Sequence, residues 1–150
     1  EGGKEVSESI SKIINAGIPV MGHLGLTPQS IYKFGTYNVR GKNKIEADQL
    51  IKDAQTLEKL GCFSTVLEKI PHKVSEEISK KTKFPLIGIG AGNNVDGQVL
   101  VIHDLIGLTN EFNPRFIRRY LDLNSSIKSA VSQFIKDVKS GDFPSKDEMY

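Results

Sequence analysis

Two amphipathic helical stretches, each stopped by a glycine and each followed at once by a short apolar run, constrain this chain more than any other feature. Val6, Ile10, Ile13 and Ile14 fall at i, i+4, i+7 and i+8, one face of a helix that Gly17 ends. The run Ile18-Pro19-Val20-Met21-Gly22 follows directly, with proline tolerated in a strand's first residues. Ala47, Leu50, Ile51, Ala54 and Leu57 make a second and clearer helix, from Glu46 to Leu60, stopped by Gly61. Ser64 to Glu68 then reads as a strand, and Pro71 opens a helix with Val74 and Ile78 inward. Phe84-Pro85-Leu86-Ile87-Gly88 repeats the pattern of Ile18 to Gly22. Helix and strand alternating in this way predict a parallel α/β architecture.

The C-terminal third is less regular. Ala91 to Gln98 is shorter than the ~10–12 residues a parallel crossover usually needs. Either the crossover helix is vestigial and Val99 to His103 is a strand, or Gly97 to Ile106 is itself a helix capped by Asp96 and stopped by Gly107; the strand is the preferred reading. Phe116 to Leu121 and Ile127 to Lys139 read as helices, Tyr37 to Lys44 as a surface loop, and Gly141 to Tyr150 as a tail. Three or four parallel strands would leave apolar edges unpaired, so further sequence or a partner chain is expected to cover them, as in part of a barrel.

Composition narrows the function. A chain of 150 residues is one domain by length, and 38% hydrophobic with 25% charged residues is the balance of a folded protein. A net charge of +2 with scattered lysines argues against a nucleic-acid partner. Arg115, Arg118 and Arg119 would share a helix face, read as solvated rather than as a binding patch. Cys62 is the only cysteine, which excludes a disulfide within the chain and predicts a buried thiol. No apolar run approaches the ~18 residues of a membrane-spanning helix, and no charged-then-apolar leader opens the chain.

Ligands of parallel α/β proteins collect at the carboxyl ends of strands. His23, in the loop predicted after Gly22, Glu68 at the end of its strand, and the segment Gly88 to Gly92 are therefore expected to open on one pocket. A carboxylate ending a buried strand is partly desolvated and so a stronger base; the alternative for Glu68 is a surface glutamate paired with Lys69. His23 could donate to an anionic substrate, ligate a metal, or be a satisfied structural histidine, and spacing favours the last, with no second His or Cys at ligand distance. His103-Asp104 could be a ligand pair or a local hydrogen bond at a strand end. Gly88-Ile89-Gly90-Ala91-Gly92 is not a dinucleotide fingerprint, because Asn93 stands where the third glycine is needed. Such a loop could hold phosphate through its backbone or let substrate approach.

Together these stretches resemble the ketopantoate hydroxymethyltransferase (3-methyl-2-oxobutanoate hydroxymethyltransferase) family. The resemblance rests on Gly22-His23-Leu24-Gly25-Leu26-Thr27-Pro28-Gln29-Ser30, on Val66-Leu67-Glu68 with Pro71, on Ile87 to Gly92 followed by Asp96-Gly97-Gln98, and on Gly141 to Pro144. It implies a (β/α)8 TIM barrel of which residues 1–150 form the C-terminal part of a single domain, from the end of strand 4 through strand 8 and the C-terminal helices. It implies a cytoplasmic transferase that moves a hydroxymethyl group from 5,10-methylenetetrahydrofolate to 3-methyl-2-oxobutanoate in pantothenate and coenzyme A biosynthesis. Mg²⁺ is the implied cofactor, and homo-oligomers are implied, decamers in bacterial members. By the same resemblance Glu68 is the proton acceptor, His23 lines the substrate site, and Glu1, in Glu1-Gly2-Gly3, is a metal ligand.

The family's two other metal-site aspartates, a neighbouring serine and a substrate-binding lysine all correspond to positions before Glu1. The chain as given, with its α-ammonium beside the Glu1 carboxylate, is accordingly expected to be inactive alone. Two other readings stand beside the transferase: a Mg²⁺-dependent lyase or mutase acting on another oxo acid, and a non-catalytic fragment.

Overall fold

The computed structural model describes residues 1–111 and 113–150, without the side chain of residue 33. The chain forms two compact units, Glu1–Val99 and Leu100–Tyr150.

The first unit is built on a parallel four-stranded sheet in sequential order: β1 (Met21–Gly25), β2 (Ser64–Glu68), β3 (Leu86–Ile89) and β4 (Gly97–Gln98). A helix precedes each of the first three strands: α1 (Ser7–Asn15), α3 (Lys44–Leu60) and α4 (His72–Lys81). A 3-10 turn (Pro28–Ser30) and the single helical turn α2 (Ile31–Phe34) follow β1. The α3 helix starts two residues before the predicted Glu46 because Asn43 caps it, its Oδ1 accepting the Glu46 N–H at 2.9 Å. The expected inward residues of α4, Val74 and Ile78, are buried, and Ser75 joins them.

Burial alternates along the strands and gives the sheet two unlike faces. Leu24, Thr65, Leu67 and Leu86 are buried toward the helices, among Leu57, Ala54, Ile78 and Val74. The residues between them, His23, Val66, Glu68, Ile87 and Ile89, are only half-buried on the other face. Cys62 is buried as expected, and removal from water pushes its thiol up from the ordinary range.

The structure corrects the strand limits read at the glycines. The strand expected over Ile18 to Gly22 is shifted to Met21–Gly25, and that expected over Phe84 to Gly88 is shifted to Leu86–Ile89. His23 therefore lies within a strand, not in a loop. Gly22 marks close packing instead of an end: a Cβ there would stand 2.6 Å from Leu57 Cδ1 and 2.7 Å from Thr65 Oγ1. The expected strand Val99 to His103 is absent, and so is a helix spanning Gly97 to Ile106. The parallel ladder ends instead where Val99 N donates to Gly88 O at 3.0 Å, because β3 turns away after Ile89. Asp96 caps no helix: its backbone N–H donates to Leu86 O, and its carboxylate accepts the Leu86 N–H at 2.9 Å, pinning the short connection to β3.

The second unit contains the one-turn helix α5 (Ile102–Leu105), the long helix α6 (Leu123–Ser140) and a 3-10 turn (Lys146–Glu148) in the expected tail. His103 and Asp104 sit in α5 rather than at a strand end, with Asp104 buried and His103 exposed. The helix expected over Phe116 to Leu121 does not form. Its backbone donors are used elsewhere, Tyr120 N donating to Leu105 O at 2.8 Å and Ile117 N to Pro114 O. Arg115, Arg118 and Arg119 consequently share no helix face. None of the described helices is long and apolar enough to cross a membrane.

Candidate active site

His23 and Glu68 meet on the half-buried face of the sheet. They come from adjacent parallel strands, in which His23 is paired with Val66 and Gly25 with Glu68. Alternation puts His23, Val66 and Glu68 on one side, and His23 Nε2 lies 3.1 Å from Glu68 Oε2. Both side chains are about one-fifth exposed, so the pair is neither sealed in the core nor free in solvent. The alternative reading of Glu68, a surface glutamate paired with Lys69, is not what the geometry shows. Lys69 has a left-handed backbone (φ 49°) that turns it aside, and its ammonium donates to Tyr37 O at 2.5 Å.

The other imidazole nitrogen faces a second carboxylate: His23 Nδ1 is 3.5 Å from Glu1 Oε1. The Gly2 N–H donates to the His23 carbonyl at 3.1 Å, which ties the first residues to β1. Gln29, with its amide nitrogen toward Glu1, donates to both oxygens of that carboxylate, at 3.1 Å to Oε2. Glu1, His23 and Glu68 thus form a row in which the imidazole stands between two carboxylates. Such a row orients both carboxylates about one imidazole. A cavity of about 310 Å³ opens beside Glu1, between the first six residues, the end of β1 and the first half of α3.

The residues that follow the third strand pack against α4. Gly92 packs on His72, where a Cβ would come within 2.5 Å of the His72 Cβ, and the Ser75 hydroxyl donates to Ala91 O. The glycine segment beyond Ile89 is drawn onto α4, while Ile89 itself ends β3 beside Glu68 in the parallel ladder. Gln29 belongs to the first motif, and its residue type and spacing alone predict no role for it. An amide six residues beyond His23 reaches Glu1 only because the Pro28–Ser30 turn folds it back.

The donor set does not by itself make a Mg²⁺ site. Mg²⁺ takes about six oxygen ligands, and among the described residues no group of three or more His, Cys, Asp or Glu is placed to hold a metal. Glu1 offers one carboxylate, already bonded by Gln29 and beside His23.

A family model described as ketopantoate hydroxymethyltransferase matches residues 1–146. The chain belongs to this family. The 3-methyl-2-oxobutanoate hydroxymethyltransferases of Flavobacterium johnsoniae and Christiangramia forsetii are each 63% identical to it over 150 residues, and that of Porphyromonas gingivalis is 59% identical. Each alignment covers the whole of this chain and 55% of the relative, so the chain spans about half the length of the curated relatives it matches. For a ketopantoate hydroxymethyltransferase chain, the sequential parallel sheet is consistent with the barrel that the resemblance implied, and the His23–Glu68 pair joins the middle of β1 to the end of β2.

Proposed function

We propose that this chain supplies the proton-transfer residues of a hydroxymethyltransferase that converts 3-methyl-2-oxobutanoate and 5,10-methylenetetrahydrofolate to 2-dehydropantoate (ketopantoate). The observation that carries the reading is the 3.1 Å His23–Glu68 contact on the uncovered face of a parallel sheet. Further support is that one face of the sheet is covered by α1, α3 and α4 while the other is lined by half-buried side chains. That supports a segment of a (β/α)8 barrel, to which we assign the portion from the end of strand 4 through strand 8 and the C-terminal helices.

In this reading Glu68 is the general base. The C3–H bond of the oxo acid breaks, its proton passes to Glu68, and the electron pair delocalises toward the keto oxygen. General-base catalysis of this kind contributes ~10²–10⁴-fold. His23, held to one Glu68 oxygen at Nε2 and facing Glu1 at Nδ1, orients the base and leaves the other Glu68 oxygen to receive the proton; we assign His23 to the lining of the substrate site. C3 then bonds to the folate's methylene carbon, both C–N bonds to that carbon break, water supplies its hydroxyl, and the two nitrogens of the departing tetrahydrofolate take up the proton held by Glu68 and the proton released by water. Glu1 is assigned as one ligand of Mg²⁺, with the rest of the ligand set lying outside these residues; the ion, when bound, would polarise the substrate's keto oxygen. We assign the assembled enzyme to the cytoplasm as a homo-oligomer. The apolar row Ile127, Val131, Phe134, Ile135 and Val138, all exposed on α6, supports association.

The test is exchange of the C3 proton of 3-methyl-2-oxobutanoate with D2O, followed by proton NMR, on the complete gene product containing this chain and on its Glu68→Gln variant. Exchange in the parent and none in the variant is expected. Equal exchange in both removes Glu68 from the role. Formation of 2-dehydropantoate only with the folate present separates the transferase from a lyase or mutase using the same proton abstraction.

A further inference from the structure

Asp53 is a carboxylate that nothing above uses. It projects from the middle of α3, is 7% exposed, and is the only acidic side chain among the buried residues of that helix. Burying a carboxylate costs several kcal/mol unless it is hydrogen-bonded. Its Oδ1 accepts the Gln49 amide at 2.9 Å, one turn back on the same helix, and the backbone N–H of Lys4 at 3.1 Å. Only the second bond reaches another element, and it ends three residues from Glu1. Gly3 lies directly against the carboxyl group: a Cβ on Gly3 would fall 2.1 Å from Asp53 Cγ and 2.4 Å from Asp53 Cβ. No side chain fits between them.

The segment Glu1 to Lys4 is therefore fixed at two points. At one, the Gly2 N–H bonds the His23 carbonyl on β1; at the other, the Lys4 N–H bonds Asp53 on α3. Between them, Gly3 rests on the Asp53 side chain. These two points determine where the Glu1 carboxylate stands relative to His23 Nδ1. We infer that Asp53 is a positioning residue: through Lys4 and Gly3 it holds the Glu1 segment against β1 and so keeps Glu1 in line with the His23–Glu68 pair. The inference rests on the proposed function for its catalytic consequence but not for its structural one. Displacement of a reacting group's neighbours by about 1 Å can cost ~10²-fold in rate.

Two measurements on the complete gene product test this. The first is hydrogen–deuterium exchange of the peptide covering Gly2 to Val6, which reads the anchoring directly and owes nothing to the reaction. Asp53→Ala should raise exchange at Gly2 and Lys4 at least tenfold, with α3 and β2 peptides unchanged. The second is the C3-proton exchange assay, where Asp53→Ala should lower kcat about 100-fold and leave KM within about threefold. Asp53→Asn keeps the side-chain shape and the Oδ1 acceptor and should stay within about fivefold of the parent in both. Gly3→Ala displaces the same contact from the opposite side and should reproduce the Asp53→Ala pattern, which covers the case that Asp53→Ala fails to fold. Unchanged protection of Gly2 and Lys4 in folded Asp53→Ala or Gly3→Ala overturns the inference. So does Asp53→Asn behaving as Asp53→Ala, since charge rather than placement would then matter. If the parent shows no C3 exchange, the proposed function fails, while the protection data still decide the role of Asp53.

Discussion

Gly25→Ala is the substitution by which the geometry of the candidate site can be tested most sharply. Gly25 ends β1 at φ +99°, a region L side chains rarely adopt, and a Cβ there would lie 2.1 Å from the Glu68 carbonyl oxygen and 2.8 Å from Ile70 Cγ2. The clash is with backbone, which no rotamer change relieves. The same carbonyl accepts the Leu26 N–H at 2.9 Å. The φ strain costs ~1–3 kcal/mol, and parting β1 from the end of β2 forfeits the Leu26 bond for ~1–3 kcal/mol, so the expected loss is about 2–6 kcal/mol. Gly17 supplies the control: its φ is +83°, but nothing lies within 4 Å of a Cβ placed there. Gly17→Ala carries the conformational term alone, about 1–2 kcal/mol. The difference is the ~1–3 kcal/mol of the lost contact, a separation in Tm of ~2–12 °C for a protein of this size. Thermal unfolding of both variants beside the parent measures it, and C3-proton exchange by Gly25→Ala should fall as Glu68 is displaced. Equal Tm values for the two variants would refute the claim that β1 and the Glu68 carbonyl are in obligatory contact.

Glu68→Gln should abolish C3-proton exchange with little change in thermal stability, checked by NMR and calorimetry together. Leu57→Ala, at a fully buried position in α3 against Gly22, should cost ~2–5 kcal/mol, read from the urea midpoint. Ser75→Ala removes the hydroxyl that bonds Ala91 O and His72 O and leaves a buried carbonyl with one partner fewer; a loss of ~1–3 kcal/mol is expected in the same assay. Because burial raises the Cys62 thiol above the ordinary range, the folded state favours the protonated form. Its stabilising contribution is complete below the unfolded thiol's titration and is lost as pH rises through the folded one. Native protein should react more slowly with iodoacetamide at pH 8 than urea-unfolded protein, and a native rate equal to the unfolded one would contradict the burial.

What could be read without tertiary contacts was whatever local periodicity encodes. The α3 face of Leu50, Ala54 and Leu57, the strand Ser64–Glu68 and the inward Val74 and Ile78 of α4 appear where the pattern put them, because each follows from a stripe or alternation that has only one way to be buried. The strand limits at Gly22 and Gly88 were not legible. A glycine that ends a strand and one that admits a neighbour's side chain look alike in sequence, and only Leu57 and Thr65 against Gly22 distinguish them. The missing helix at Phe116 to Leu121 has the same origin, since the Tyr120 amide takes Leu105 O as partner in place of an i−4 carbonyl.

The candidate site divides the same way. Sequence alone determined that Glu68 ends a strand, and the motifs around it and His23 pointed to one family. Only the tertiary structure decided that parallel pairing brings His23 Nε2 to Glu68, that the Pro28–Ser30 turn returns Gln29 to Glu1, and that Asp53, forty-nine residues from Lys4, anchors that segment. The physical reason is that residue type and local spacing fix which face a side chain takes within its own element. The register between elements, and hence which side chains meet, is set by long-range packing that no window of the sequence contains.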